Sequence, residues 1–218
     1  LFCIPPIAGW RVIYNKLPEL LKAGRIYLFD FIEEDRIEKY ANYMLEQLDG
    51  KEWTIMGYSA GGNLAMEIAA YLEQQNCAPG KVILFDSNVS EENSNPTPEE
   101  LEEEVKESME EGIDQFKLVD QNIELTPELF ELAYRKRYKY SEYFYYEQNL
   151  TQIKSEVYWI AQSEYLEGEQ EKIVSKWKEI MREREIHVLQ GHGRHANMFF
   201  DPYIEKNVEI LRNILEKK

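Results

Sequence analysis

Trp53-Thr54-Ile55-Met56-Gly57-Tyr58-Ser59-Ala60-Gly61-Gly62-Asn63-Leu64-Ala65 is the stretch on which the reading of the fold turns. Its first four residues form a short apolar run suited to a buried strand. From Leu64 onward, Ala65, Ile68, Ala69 and Leu72 recur at the three- and four-residue spacing of one helix face. Between strand and helix stands the pattern G-x-S-x-G. A serine on so sharp a turn needs unusual backbone angles, and the flanking glycines let the turn pack against its neighbours. Such a unit raises the hydroxyl above the carboxyl edge of a parallel sheet.

Outward from this unit the same alternation continues. Residues 26–31 and 81–85 read as further buried strands, and the opening run Leu1-Phe2-Cys3-Ile4 is strand-like as well. Ile37, Tyr40, Ala41, Met44, Leu45 and Leu48 make a second helical stripe. Strands joined by crossover helices predict a parallel sheet. From 91 to 150 the strand signal gives way to two helical stretches, 98–111 and 127–148, each opened by a Thr-Pro start signal. The alternation then resumes with a strand at 156–161, a helix at 170–183, a strand at 186–189 and an amphipathic helix at 203–215.

The expected architecture is a single α/β domain of the α/β-hydrolase kind. Its core is 1–90 and 151–218, a mostly parallel sheet flanked by helices. A helical lid is inserted at 91–150, above the carboxyl ends of the strands, where open α/β sheets bind ligands. The bland alternative for the insertion is a peripheral decoration.

Charge narrows the partners. Forty-one acidic residues against 25 basic ones leave −16, of which residues 91–111, with ten carboxylates and the single cation Lys106, contribute −9. This balance disfavours nucleic acid and anionic membrane surfaces. No apolar run approaches the length of about 18 residues that could span a bilayer. Cys3 and Cys77 are too few for a disulfide framework and read as reduced thiols of a cytoplasmic protein. The apolar opening, without Met or leader, reads as a piece excised from something longer. The chain carries no phosphate-binding glycine loop or zinc-ligand spacing, so no metal or bound cofactor is expected.

The candidate chemistry is nucleophilic. Ser59 is the expected nucleophile, and the helix after it offers the Ala60 N–H to a developing oxyanion. In Pro5-Pro6-Ile7-Ala8-Gly9 the prolines have no N–H, which leaves Ile7 as the second donor. Of three histidines, His187 falls inside a strand, whereas His192 and His195 lie in the loop after the last strand, where this fold delivers its base. His195, nearer the closing helix, is the preferred base. Asp86, after the strand at 81–85, and Glu164, after the strand at 156–161, are both placed to orient it, and spacing leaves the two open.

Tyr58, beside the nucleophile, is a candidate substrate contact. So are Tyr134 and Tyr138, which with Tyr145 share one side of the second lid helix and would wall a lipophilic chain over Ser59. The alternative for these tyrosines is packing of the lid onto the body. The cluster Arg135-Lys136-Arg137-x-Lys139 on the same helix reads either as a contact for a phosphate or an acidic surface or as a solvated face.

Taken together, Ile4-Pro5-Pro6-Ile7-Ala8-Gly9, Phe31-Ile32-Glu33-Glu34-Asp35, the Gly57–Ala65 unit, the strand ending in Asp86, and Gly191-x-Gly193-x-His195 resemble the thioesterase domains that end nonribosomal peptide synthetases, in particular those of the fengycin and surfactin type. The likeness spans nearly the whole chain outside the lid. It implies Asp86 as the acid, with Glu164 second, and backbone donors at Ile7 and Ala60. It also implies a peptide or lipopeptide substrate held as a thioester on the phosphopantetheine of an upstream carrier domain, released from Ser59 by macrocyclisation or by hydrolysis. Two rivals stand beside it. A free-standing thioesterase or esterase of the same fold would place the acid at Glu164, and a non-catalytic binding domain would leave Ser59, Asp86 and His195 without a joint role.

Overall fold

In a computed structural model of the chain, residues 1–22, 24–50, 52–89, 95–119 and 126–217 are described, with the backbone alone for 110–119. Six strands, β1 (Phe2–Ile4), β2 (Tyr27–Leu28), β3 (Thr54–Tyr58), β4 (Lys81–Phe85), β5 (Glu156–Ala161) and β6 (Ile186–Gln190), form one sheet in the order β2-β1-β3-β4-β5-β6. Every neighbouring pair is parallel.

Such a sheet must be covered on both faces, and the strand residues sort by alternation accordingly. Ile55, Val82, Leu84, Val157 and Trp159 point to one side, onto α2 (Arg36–Gln47), α3 (Ala60–Gln74) and Trp177 of α6 (Glu169–Ile180). Met56, Tyr58, Ile83, Phe85, Tyr158 and Ile160 point to the other, onto α1 (Leu17–Leu21) and α7 (Ile204–Glu216). The continuous burial of β3, β4 and most of β5, with alternate residues in two cores, is therefore the physical reason for the layered fold.

Between β4 and β5 the chain leaves the sheet for α4 (Pro98–Val119) and α5 (Pro127–Glu142). Both Thr-Pro signals act as caps. The Thr126 hydroxyl accepts from Leu129 N–H at 3.2 Å, and Thr97 exchanges bonds with Glu100, whose N–H reaches the Thr97 hydroxyl and whose carboxylate takes the Thr97 N–H. Leu101, Val105, Met109 and Ala133 form a small core of their own between the two helices. The helical pair is anchored to the body chiefly through α5 and the residues just beyond its end. Tyr140 stacks on Phe31 at 4.0 Å and donates to the Pro5 carbonyl at 2.8 Å. Tyr143 donates to Glu67 of α3 at 2.7 Å, and Asn63 of α3 donates to Gln148 at 2.9 Å.

Several boundaries differ from expectation. The strand expected at 26–31 keeps regular pairing only at Tyr27–Leu28, because the chain then bends to give the Phe31 N–H to the Gly9 carbonyl at 2.8 Å. α4 runs past 111 to Val119, and the helix expected to 148 stops at Glu142, where the backbone widens into a π turn, Tyr143–Glu147. Residues 91–94 and 120–125 of the insertion, and the side chains of Glu110 and Glu111 in its acidic run, lie outside the described residues. Among the described residues no helix is long and apolar enough to cross a membrane. Cys3 and Cys77 are both free thiols, and burial pushes the Cys3 thiol up to about 12, so it stays protonated and inert.

Candidate active site

The turn between β3 and α3 is as tight as its sequence demands. Ser59 sits at φ 57°, ψ −133°, held by its N–H to the Phe85 carbonyl at 2.9 Å. A Cβ added at Gly57 would land on the Gly61 carbonyl, and one at Gly61 would come to 2.5 Å from the Pro5 carbonyl oxygen. The two glycines thus let the elbow close on itself and on the loop after β1. Gly57→Ala is expected to lower stability by about 2 kcal/mol, a fall in Tm of about 4–8 °C, measurable by thermal unfolding.

Three side chains meet above the sheet. His195 Nε2 stands 3.0 Å from Ser59 Oγ, and His195 Nδ1 stands 2.6 Å from Asp86 Oδ2. Asp86, directly after β4, is 1% exposed with a left-handed φ of 44° that swings its carboxylate back toward the histidine. The His195 side chain is 45% exposed, so the imidazole is reachable while the carboxylate is sealed. This linear arrangement lets the imidazole take the Ser59 proton and the carboxylate fix the tautomer and balance the imidazolium.

Glu164 takes no part in this. It is exposed and pairs with Arg194 at 2.6 Å. His192 is held by its backbone: its N–H donates to Asn207 at 2.9 Å, and Asn207 donates to the His192 and Met198 carbonyls, each at 2.8 Å. His187 lies on β6 against the Tyr158 ring at 4.6 Å.

Ser59 and His195 open into a cleft of about 690 Å³ that is also lined by Ile7 and Ala60. Neither the Ile7 nor the Ala60 amide donates to another group among the described residues, and Ala60 begins α3, whose positive dipole end faces the serine. Two free amides in the cleft of a serine hydroxyl are suited to an oxyanion.

The tyrosines divide differently from expectation. Tyr58 is buried, its ring 5.1 Å from the His195 ring and edge-on to Phe199, so it backs the histidine instead of lining the cleft. Burial, and after it the Asp86 charge, pushes its phenol well up. Tyr134 and Tyr138, 6.2 Å apart, pack into the seam between α4 and α5 and fall outside the cleft lining. The aromatic wall is instead Phe144, Tyr145 and Tyr165. Tyr145 packs against the same core between α4 and α5 as Tyr134 and Tyr138 and also lines the cleft, while Tyr143, which opens the π turn, bonds Glu67.

The basic cluster likewise disperses. Arg135 binds Glu33 at 2.7 Å, Lys136 donates to the Phe31 carbonyl and lies over the Trp10 ring, and Lys139 pairs with Glu142. Arg137 lines the cleft, as do Lys172 and Lys176 of α6.

Three supporting residues were missed from the sequence. Gln162 and Tyr165, in the loop after β5, both bond Asp86 Oδ1, Gln162 through its N–H at 3.3 Å and Tyr165 through its hydroxyl. Nothing local marks them. Asn207 did leave a signal: a fully buried amide within the apolar stripe Ile204, Val208, Leu211 of α7 needs a partner, and it clamps the histidine loop. Among the described residues no group of three or more His, Cys, Asp or Glu side chains is placed to hold a metal ion.

A family model described as "Thioesterase domain" matches residues 1–214. Tyrocidine synthase 3 of Brevibacillus parabrevis is 30% identical over 227 residues, covering 99% of this chain and 4% of that protein. Surfactin synthase subunit 3 of Bacillus subtilis (strain 168) is 27% identical over 218 residues, covering 99% of this chain and 16% of that protein. The chain thus spans a small fraction of the relatives it matches. The solved thioesterase domain SrfTE, described for the cyclization of the lipopeptide antibiotic surfactin, superposes with a TM-score of 0.78 at 24% identity, covering 100% of this chain and 91% of that one. The all-parallel sheet with its serine elbow is therefore the α/β-hydrolase fold, and the chain belongs to the thioesterase domain family of serine hydrolases.

Proposed function

We propose that this domain is the terminal, product-releasing thioesterase of a nonribosomal peptide synthetase, with Ser59 as nucleophile, His195 as general base and Asp86 as the acid that orients it. The observation that carries the reading is the continuous chain of hydrogen bonds from Ser59 Oγ through His195 to Asp86, facing two unengaged amides in one cleft. An upstream carrier domain presents a peptidyl or lipopeptidyl chain as its phosphopantetheine thioester. His195 takes the Ser59 proton as Oγ attacks the thioester carbonyl. The Ile7 and Ala60 amides hold the oxyanion, and the proton passes to the departing thiol. A second nucleophile, relayed through His195, then frees the chain from the serine. The residues 91–150 act as a lid over this exchange.

The second nucleophile is read as an amine or hydroxyl of the same chain. The similarity to the domain that cyclises surfactin favours ring closure, and Phe144, Tyr145 and Tyr165 give the cleft an aromatic wall on which a lipophilic chain can fold back and exclude water. The experiment is mass spectrometry of products and of the acyl-enzyme after supplying a panel of peptidyl thioesters, on a carrier domain and on a small thiol. A chain mass on Ser59 followed by a cyclic product is expected. Tyr145→Ala is expected to lower the cyclic-to-linear ratio severalfold while acylation persists. A wild-type enzyme that yields mainly linear acid would reject ring closure and leave the Ser59 chemistry standing.

A further inference from the structure

Asp86 is a carboxylate sealed from water, so each of its oxygens must find donors within the protein. Oδ2 receives His195 Nδ1 at 2.6 Å. Oδ1 is served by the loop after β5, through the Tyr165 hydroxyl and, at a longer 3.3 Å, the Gln162 N–H. The same loop holds the base: the His195 N–H donates to Gln162 Oε1 at 2.9 Å, and Gln190 at the end of β6 donates to the Gln162 carbonyl at 2.6 Å. The Tyr165 ring is stacked with Trp159 at 6.0 Å, and Trp159 is fixed in turn by its indole N–H to the Ser87 carbonyl at 2.9 Å, one residue beyond Asp86. Both ends of the Tyr165 side chain are thus tied to the segment that carries the acid.

We propose that Tyr165 is a positioning residue of this site, whose hydroxyl anchors the second oxygen of Asp86 and so fixes the carboxylate in the plane that His195 requires. The position after β5, from which Glu164 was an alternative acid, supplies a phenol that serves the acid after β4. This inference rests on the assignment of Asp86 and His195 above. Burial, and then the Asp86 charge, raises the Tyr165 phenol well above its ordinary value, so that it remains a donor. A hydrogen bond to a sealed anion is of the strong kind, and losing it leaves Oδ1 with the longer Gln162 contact alone.

The test is a double-mutant cycle of Tyr165→Phe and Asp86→Ala on one peptidyl thioester, with kcat and KM measured separately. In the wild-type background Tyr165→Phe is expected to lower kcat about tenfold or more with KM changed less than about twofold, at unaltered far-ultraviolet dichroism. In the Asp86→Ala background the same substitution is expected to change kcat by less than about twofold, since the group it orients is gone. A second reading comes from proton NMR: the low-field resonance of the His195 Nδ1 proton is expected to shift in Tyr165→Phe. Equal losses in both backgrounds, a loss confined to KM, or an unmoved resonance would overturn the role of Tyr165 alone. Near wild-type turnover in Asp86→Ala would overturn the assignment of the acid, and this proposal with it.

Discussion

Ser59→Ala is expected to lower product release by about four to six orders of magnitude, the scale on which loss of a triad nucleophile acts. The substitution removes only the oxygen. Alanine keeps the Cβ, so the left-handed turn at φ 57° carries the same strain, and the N–H to the Phe85 carbonyl is untouched. Tm is therefore expected to stay within about 2 °C of wild type. Turnover of a peptidyl thioester, covalent labelling by a fluorophosphonate and thermal unfolding together check the three parts. Loss of labelling with loss of turnover at an unchanged Tm is the expected set. Retention of more than about a tenth of wild-type turnover would remove Ser59 from the mechanism, and failure of the wild type to label would favour a binding domain.

Asp86→Asn and Glu164→Gln separate the two carboxylates on which spacing alone is silent. Asn in place of Asp86 presents an amide to His195 Nδ1 and favours the tautomer with its proton on Nε2, where it blocks removal of the Ser59 proton. A loss of about four orders of magnitude in turnover is expected. Glu164→Gln touches an exposed pair with Arg194 and is expected to change turnover by less than about twofold. Parallel steady-state kinetics on one thioester decide the matter. The opposite ranking would move the acid to the loop after β5 and favour a free-standing thioesterase of the same fold.

Much of this molecule was legible in its residues because the information is local. Short apolar runs and period-3.6 stripes decide which segments are strands and helices, since burying apolar surface is what makes either form. They located β3, β4, β5 and β6, the stripes of α2 and α3, and the helical interruption between Asp86 and Glu156, each to within a few residues. Two glycines around Ser59 announce a turn that only small residues permit, and the order of the three histidines along the chain singled out the loop that holds His195. None of this needs knowledge of what lies across the sheet.

What only the tertiary structure decided is direction. Asp86 and Glu164 follow adjacent strands and look equivalent in the chain. The left-handed φ at Asp86 turns one carboxylate inward, and the exposed pair with Arg194 holds the other outward. Tyr165 and Gln162 acquire meaning because β4 and β5 are neighbours in register, with Phe85 opposite Ile160, which brings the ends of the two strands together across the whole helical insertion. A uniform 3.6-residue winding would set Tyr134, Tyr138 and Tyr145 on one side of the second long helix. Tyr134, Tyr138 and Tyr145 do pack against one core between α4 and α5, but of the three only Tyr145, in the π turn at Tyr143–Glu147, also lines the cleft, beside Phe144. Composition and periodicity thus determine which elements form and which residue types stand near the sheet's edge. The side of a turn on which a given carboxylate or phenol emerges is set by backbone angles and cross-strand register, which arise only once the whole sheet has assembled.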